Sequence, residues 1–232
     1  LSFGASSLGG VFRTVQEADA IRAVHTALDC GINYFDVAPA YGGTRSETVL
    51  GKALKGIPRG CYFLSTKVGK YTNPEKYGDD TLDYSAARTR ASLNESAARL
   101  GTDYFDIIHL HDIEYQNRHH TEWALEEGLA ILHALKSEGR LGAVSCGIYP
   151  MDLWHRLFRD YDLDAALTHN HYCLNDTRLL ELLPVARAKN IGLINGSPFG
   201  SGLLTDRGPA DWHPASAADR AAFKQAAHFC RE

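Results

Sequence analysis

Residues 104–115 read YFDIIHLHDIEY, an apolar run that ends in polar side chains. Its first half is typical of a buried β-strand. Side chains two apart on a strand point to the same side, so His109 and His111 share one face. Asp112 follows them directly. This combination, a buried strand with polar groups at its carboxyl end, indicates the fold because it recurs along the chain.

Similar strand-like segments are spread through the sequence, and a helical stretch follows each of them. The segment before Cys30, for example, places Ala18, Ile21, Val24 and Leu28 at helical spacing, and Gly31 follows as a stop signal. Repeated strand-then-helix units predict a parallel sheet. The strand-like segments are 1–7, 32–38, 61–68, 104–111, 141–149, 164–172 and 191–199.

Two parallel architectures are compatible with this order, an open doubly wound sheet and a (β/α)8 barrel. The doubly wound fold expects a GxGxxG turn after its first strand, and FGASSLGG (3–10) does not supply one. Polar residues instead gather at the carboxyl ends of several strands, where barrel enzymes place their chemistry. No Pro- or Ser-rich linker divides the chain. We therefore predict an α/β (β/α)8 TIM barrel and one domain over residues 1–232.

The number of strand-like segments is one short of a closed barrel. We count seven, and the sequence stops at KQAAHFCRE inside the stretch predicted to be the seventh helix. Without an eighth strand, the first and seventh strands would leave N–H and C=O groups unpaired. We expect either that these residues belong to a longer protein or that the chain was truncated, and we favour the first. We expect the 232 residues alone to hold no well-bound nicotinamide.

Composition excludes several classes of partner. The formal net charge is -4 with no long run of Lys or Arg, which argues against a nucleic-acid or membrane partner. No apolar run approaches the roughly 20 residues that span a bilayer. The five cysteines are scattered and form no CxxC pair, so we expect a cytoplasmic protein. A monomer and a dimer are both compatible with the sequence.

Four polar residues at the strand ends form a chemically sensible set: Asp36, Tyr41, Lys67 and His111. A phenol with an ordinary pKa of about 10 is a poor proton carrier near neutral pH. A neighbouring ammonium lowers that pKa, and a carboxylate holds the ammonium in place. An imidazole can orient a carbonyl or hydroxyl oxygen. Such a set suits proton transfer at an oxygen whose carbon exchanges a hydride with a nicotinamide.

The sequence resembles the aldo-keto reductases along essentially its whole length. The resemblance implies an NAD- or NADP-dependent oxidoreductase whose catalytic tetrad falls on Asp36, Tyr41, Lys67 and His111. The family's His lies five residues after the Asp of its strand-four motif, here Asp106, which selects His111; we expect His109 to be a core residue. The motifs that carry the resemblance are GINYFDVAPAYGGTRSETVLGKAL (31–54), LSTKVG (64–69), SLNESAARLGTDYFDIIHLHD (92–112) and SPFGSGLLT (197–205).

Two motifs point to a group within the family. HDIE (111–114) and GLLTDRGPADWHPAS (202–216) resemble those of L-galactose dehydrogenases and bacterial aldose 1-dehydrogenases. This resemblance implies oxidation of an aldose at C1 to a lactone. The alternative within the family is a general NADPH-dependent aldehyde or ketone reductase.

The resemblance also implies a dinucleotide site. Ser197, Phe199 and Ser201 would line the pyrophosphate, in the Gly-rich loop after the seventh strand where barrels commonly hold phosphate. Ser145 would reach the nicotinamide carboxamide, with His169 beside it. Three positions depart from the common family pattern: Cys146 where many members carry Asn, His169 where many carry Gln, and Gly196 where an aromatic residue often stands.

Two hypotheses that assign the protein to other functional classes stay open. HLH (109–111) and HNH (169–171) are both HxH pairs, which a zinc-dependent barrel hydrolase could use. No further ligand is placed by a recognisable spacing, and a hydrolase leaves Tyr41 and Lys67 unexplained, so we predict no metal site. A catalytically silent barrel that serves as a binding subunit is less favoured because the four tetrad positions are intact.

Overall fold

The computed structural model describes residues 1–72, 80–209, 211 and 213–230. Ala210 and Trp212 of the 202–216 motif lie outside the described residues. The chain divides into two compact units, Leu1–Ile148 with Leu163–Ala165, and Tyr149–Asp162 with Ala166–Glu232. The single domain over 1–232 stays a prediction.

The first unit alternates strands and helices, as the sequence predicts. Its strands are β1 (Ser2–Gly4), β2 (Tyr34–Asp36), β3 (Phe63–Val68), β4 (Lys70–Thr72), β5 (Asp80–Leu82), β6 (Phe105–His111) and β7 (Leu141–Ile148). Its helices are α1 (Glu17–Asp29), α2 (Arg45–Leu54), α3 (Ala86–Leu100), α4 (Thr121–Trp123) and α5 (Leu129–Ser137), and a π-helical segment, Ala124–Gly128, joins the last two.

The second unit contains α6 (Met151–Asp160), most of β8 (Ala165–His169), α7 (Leu183–Lys189), β9 (Gly192–Gly196) and α8 (Ala217–Phe229). Helix α8 begins with a capping box, in which the Ser216 hydroxyl accepts from the backbone N–H of Asp219 and the Asp219 carboxylate accepts from the backbone N–H of Ser216. Within the described part of the chain, no helix is both long and apolar enough to cross a membrane.

The strand order confirms the predicted α/β parallel class. Among the described residues, seven strands form one sheet in the order β1-β2-β3-β6-β7-β8-β9, one strand for each predicted segment. Neighbouring strands from β1 to β7 are parallel. The sequence did not predict the separate antiparallel hairpin of β4 and β5. Its three-residue strands are too short to carry a readable period.

Two carboxylates, one fully buried and one partly exposed, connect helices and strands of the first unit. Glu47 of α2 is fully buried and accepts from Arg99 Nε and Thr66 Oγ1, both at 2.6 Å. Asp106 of β6 accepts from Arg59 Nη2 at 2.6 Å and from the backbone N–H of Leu64 at 2.7 Å. Because charges are buried only when they are paired, these contacts fix β3 relative to α2, α3 and β6.

Candidate active site

The register of three parallel strands places polar side chains at one level of the first unit. Lys67 of β3 is paired with His109 of β6, and His109 is paired with Ser145 of β7. Side chains of directly paired residues point to the same face of a sheet. Lys67, His109 and Ser145 are all essentially buried. The register therefore builds a polar layer within an otherwise apolar core.

A buried ion pair lies in this layer. Lys67 Nζ donates to Asp36 Oδ2 at 2.6 Å and to the carbonyl of Val37 at 2.9 Å. Burial raises the pKa of Asp36, but the Lys67 ammonium and His109 outweigh burial and hold that pKa well below its usual range. Burial has the opposite effect on Lys67 and lowers its pKa. The Asp36 carboxylate outweighs burial, so the net pKa of Lys67 lies above its ordinary value. Both groups are therefore charged at neutral pH.

Tyr41 stands over this ion pair on the loop that follows β2. Its position depends on Gly42, which has a φ of 61° and packs so tightly that a Cβ there would come 2.3 Å from the carbonyl oxygen of Gly9. Only glycine adopts this conformation at such a close approach without strain. The Lys67 ammonium lies 5.1 Å from the centroid of the Tyr41 ring.

The expected effect of Lys67 on Tyr41 is only partly right. The Lys67 ammonium lowers the pKa of the Tyr41 phenol, as the sequence predicts. Burial has the larger effect, however, and leaves the net pKa of Tyr41 above its ordinary value. A buried phenolate is costly because it loses its hydration. Tyr41 is therefore a neutral phenol at pH 7, with a cation positioned to stabilise its anion.

His111 lies beside Tyr41 at the end of β6. The two rings meet edge to face, with 6.1 Å between centroids and an interplanar angle of 89°. The His111 carbonyl accepts from the hydroxyl of the buried Tyr84 at 2.9 Å, which fixes the end of the strand. Burial lowers the pKa of His111 to about 4, with Lys67 and Lys70 reinforcing and Asp112 opposing. His111 is therefore a neutral imidazole at pH 7.

A second charged pair lies beside His111, and the sequence did not reveal it. Lys70 Nζ donates to Asp112 Oδ2 at 2.7 Å and lies 4.0 Å from the centroid of the Tyr115 ring. Asp112 Oδ1 is 3.5 Å from His111 Nε2. Asp112 has a φ of 52°, a conformation that Asp tolerates better than most residues. The available signal was Asp112 itself, directly after the strand.

His109 is buried, as expected of a core residue, but its surroundings are polar. Its Nδ1 lies 2.8 Å from Ser145 Oγ, and its Nε2 lies 3.4 Å from Asp36 Oδ1. The ring therefore spans the distance between the Asp36–Lys67 pair and Ser145. The sequence predicted that His109 and His111 share a face, but it did not predict the partners of the His109 ring, which lie on β2 and β7.

The other predicted dinucleotide residues lie in the second unit. Ser197 and Ser201 both have left-handed backbones, with φ of 55° and 51°, and their hydroxyl oxygens are 3.5 Å apart. Asn170 Nδ2 is 3.5 Å from Ser201 Oγ. Phe199 is exposed, and the His169 ring lies 6.4 Å from the ring of Tyr149. The roles of these residues stay predictions.

The HxH pairs are engaged in different ways. His109 contacts Asp36 and Ser145, as described above. In the second unit, His171 contacts Asp176 through Nδ1 at 3.2 Å and the carbonyl of Tyr149 through Nε2. Within the described ranges, no three His, Cys, Asp or Glu side chains converge as metal ligands.

Comparison with known proteins identifies the family. Residues 1–231 match the model of the aldo/keto reductase family. The chain belongs to the aldo/keto reductase family. An L-galactose dehydrogenase of Arabidopsis thaliana is 41% identical over 236 residues, which cover 100% of this chain and 71% of the relative. A D-threo-aldose 1-dehydrogenase of a Pseudomonas species is 34% identical over 227 residues, covering 90% of this chain and 68% of that relative.

Solved structures confirm the barrel type that the sequence predicts. An aldo-keto reductase of Bacillus halodurans, solved in its holo form, matches with a TM-score of 0.76 at 27% identity. The match covers 94% of this chain and 68% of that one. This aldo/keto reductase is therefore an α/β enzyme, an NAD(P)-dependent oxidoreductase.

The second unit of this aldo/keto reductase contains groups that suit a nicotinamide dinucleotide. In the second unit, Gly200, Ser201 and Gly202 are consecutive residues with positive φ, and Asn170 Oδ1 is a buried acceptor with no hydrogen-bond partner among the described residues. Turns of this kind present backbone N–H groups to phosphate. In the first unit, His111 Nδ1 is also buried and has no hydrogen-bond partner among the described residues.

The depressed pKa of His111 makes stability depend on pH. Between pH 6.5 and about 4 the unfolded chain binds a proton at His111 and the folded chain does not, so acid favours unfolding. We expect His111 to reduce the free energy of unfolding by about 3 kcal/mol across this window. Urea titrations at pH 7 and pH 4.5 should show this loss, and His111→Gln should reduce it.

The control for this titration is His155→Gln, which changes a half-exposed histidine on α6. It should leave the pH dependence of unfolding as in the wild type. An equal pH dependence in the His111→Gln variant and the wild type would show that the His111 ring is not buried as a neutral base.

Proposed function

We propose that the protein oxidises an aldose at C1 to a lactone, with NAD or NADP as the hydride acceptor. The observation that carries the proposal is the arrangement of Tyr41 over the buried Asp36–Lys67 pair, with a neutral His111 edge-on to it. The likeness to two sugar dehydrogenases supports an aldose as the substrate.

The proposed reaction removes a hydride and a proton from the anomeric centre. A nicotinamide dinucleotide, when bound, would supply the acceptor for the hydride that leaves C1. Tyr41 Oη accepts the proton of the anomeric hydroxyl, which requires the phenol to have released its own proton first. Lys67 stabilises that phenolate, and Asp36 keeps the ammonium in place. The products are a lactone, a reduced nicotinamide and one proton, so atoms and electrons balance.

His111 has the complementary role of orienting the reacting oxygen. Because its pKa is about 4, it remains neutral over the working pH range and presents one N–H donor. A neutral imidazole can bond to the anomeric oxygen without protonating it. It therefore leaves proton transfer to Tyr41.

The polar side chains next to His111 suit a substrate with several hydroxyl groups. The Asp112 side chain is 15% exposed, and Lys70 Nζ holds one of its oxygens. A carboxylate accepts hydrogen bonds from sugar hydroxyls, and an ammonium donates to them. This supports an aldose over a general aldehyde.

The test is a substrate panel with the full-length protein. L-galactose, other aldoses and simple aldehydes are each offered with NAD and NADP in both directions, and the absorbance of the reduced nicotinamide is followed. We expect aldose-dependent reduction of one dinucleotide and formation of a lactone. Turnover confined to the reduction of simple aldehydes would contradict the proposal.

Since all five cysteines have free thiols, we also propose a cytoplasmic location.

A further inference from the structure

His109 has an unusual place in the core of the first unit. It is fully buried, yet both ring nitrogens face polar groups. Ser145 Oγ lies 2.8 Å from Nδ1, and Asp36 Oδ1 lies 3.4 Å from Nε2. The second distance is long for a hydrogen bond, so this contact is mainly electrostatic. Any buried imidazole needs polar partners, and here both partners are polar groups of the candidate site.

The charges around the ring determine which nitrogen carries the proton. Burial lowers the pKa of His109, so the ring is neutral and has a single N–H. Asp36 is ionised, because Lys67 donates to its Oδ2 and Ser65 Oγ donates to its Oδ1 at 2.7 Å. An unprotonated Nε2 would turn its lone pair towards this carboxylate in a dry interior. The proton therefore belongs on Nε2.

The proton on Nε2 fixes the direction of the Ser145 hydroxyl. Nδ1 is then an acceptor, so Ser145 Oγ–H donates to it at 2.8 Å. The competing acceptor is the carbonyl of Cys146, which lies further away at 3.2 Å. With its proton directed at His109, Ser145 Oγ presents only lone pairs to any other group. It can accept from an amide N–H, but it cannot donate to a carbonyl.

We propose that His109 is a positioning residue that links Asp36 to Ser145 and makes Ser145 an obligate acceptor for the amide N–H of the nicotinamide carboxamide. The inference rests on the proposed function in one respect, namely that Ser145 contacts the carboxamide. The same carboxylate that holds Lys67 beneath Tyr41 would thereby set the hydroxyl that orients the hydride acceptor.

The first test measures the tautomer directly, without substrate or dinucleotide. Nitrogen-15 NMR of the imidazoles separates Nδ1-protonated, Nε2-protonated and cationic rings, and the His109→Gln spectrum identifies the His109 signals. We expect a neutral ring with the proton on Nε2 at pH 7.5. A proton on Nδ1, or a cationic ring, would overturn the inference whatever the substrate panel shows.

The second test separates the two ring nitrogens by substitution. Asn places an oxygen near the position of Nδ1 and can still accept from Ser145, whereas Gln places an N–H near Nε2 and can still donate to Asp36. In the full-length protein, we expect His109→Asn to retain wild-type affinity for the reduced dinucleotide, measured by fluorescence titration. His109→Gln should weaken that affinity about tenfold, the effect of one lost hydrogen bond.

A double-variant cycle completes the test. Ser145→Ala should weaken dinucleotide affinity as His109→Gln does, and the combined variant should be no weaker than either. Leu110→Ala is the control, since Leu110 lies on the opposite face of β6 against Gly128; it should lower the melting temperature without changing affinity. Additive losses, or equal losses for Asn and Gln, would show that His109 serves only to fill the core.

Discussion

Replacement of Tyr41 by Phe is expected to lower kcat by about 10²- to 10⁴-fold, the usual contribution of a general acid–base group. The ring, its edge-on contact with His111 and its place above Lys67 would all remain. The proposed dinucleotide site is unchanged, so the dissociation constant for the dinucleotide should stay within about twofold of the wild type. Steady-state kinetics and fluorescence titration measure the two quantities on the same preparation.

A second tyrosine provides the control for this substitution. Tyr34 Oη lies 2.9 Å from Ser65 Oγ, and burial, with the Asp36 carboxylate, raises its pKa to about 12. Tyr34→Phe removes one hydrogen bond next to the same ion pair, so kcat should stay within about fivefold of the wild-type value. A Tyr41→Phe variant that turns over as fast as Tyr34→Phe would remove Tyr41 from the mechanism.

Replacement of Lys67 by Met should have the largest effect on stability. It leaves the Asp36 carboxylate buried without its main counter-ion, and such changes cost about 3–5 kcal/mol. It also removes the cation that stabilises the Tyr41 phenolate, so kcat should fall together with stability. Urea denaturation at pH 7 measures the first effect, and turnover at a temperature where the variant is folded measures the second.

An exposed ion pair serves as the control for Lys67. Arg90 and Glu138 bond through two pairs of atoms on the surface, with both side chains nearly half exposed. Arg90→Met should cost less than about 1 kcal/mol, because solvent screens such pairs. If Lys67→Met cost no more than Arg90→Met, the Asp36–Lys67 pair would not be the buried interaction on which the site depends.

The sequence predicted those contacts of the site that depend only on the order of the strands. Asp36 and Lys67 end neighbouring strands, and parallel strands bring their carboxyl ends to one edge, so the 2.6 Å contact between them could be expected. The seven strands of the sheet could also be predicted, because each corresponds to a separate apolar segment of the sequence. Such features depend on local pattern and on a general rule of topology.

What the sequence did not predict depends on burial and on register. The net rise in the pKa of Tyr41 follows from desolvation, which is a property of the folded surroundings. The partners of His109 come from β2 and β7, and only the pairing of strands places them at its level. The contact between Lys70 and Asp112 depends on the hairpin of β4 and β5, which is too short to recognise by period.

The measurement that tests the central claim most directly is the transfer of deuterium from the anomeric carbon. An aldose labelled with deuterium at C1 is oxidised by the full-length protein, and the reduced nicotinamide and the sugar product are analysed by mass spectrometry. The account predicts one deuterium on the nicotinamide and an unlabelled lactone. It also predicts that kcat falls by about 10²- to 10⁴-fold in Tyr41→Phe. Recovery of the deuterium in the sugar product, with none on the nicotinamide, would contradict it.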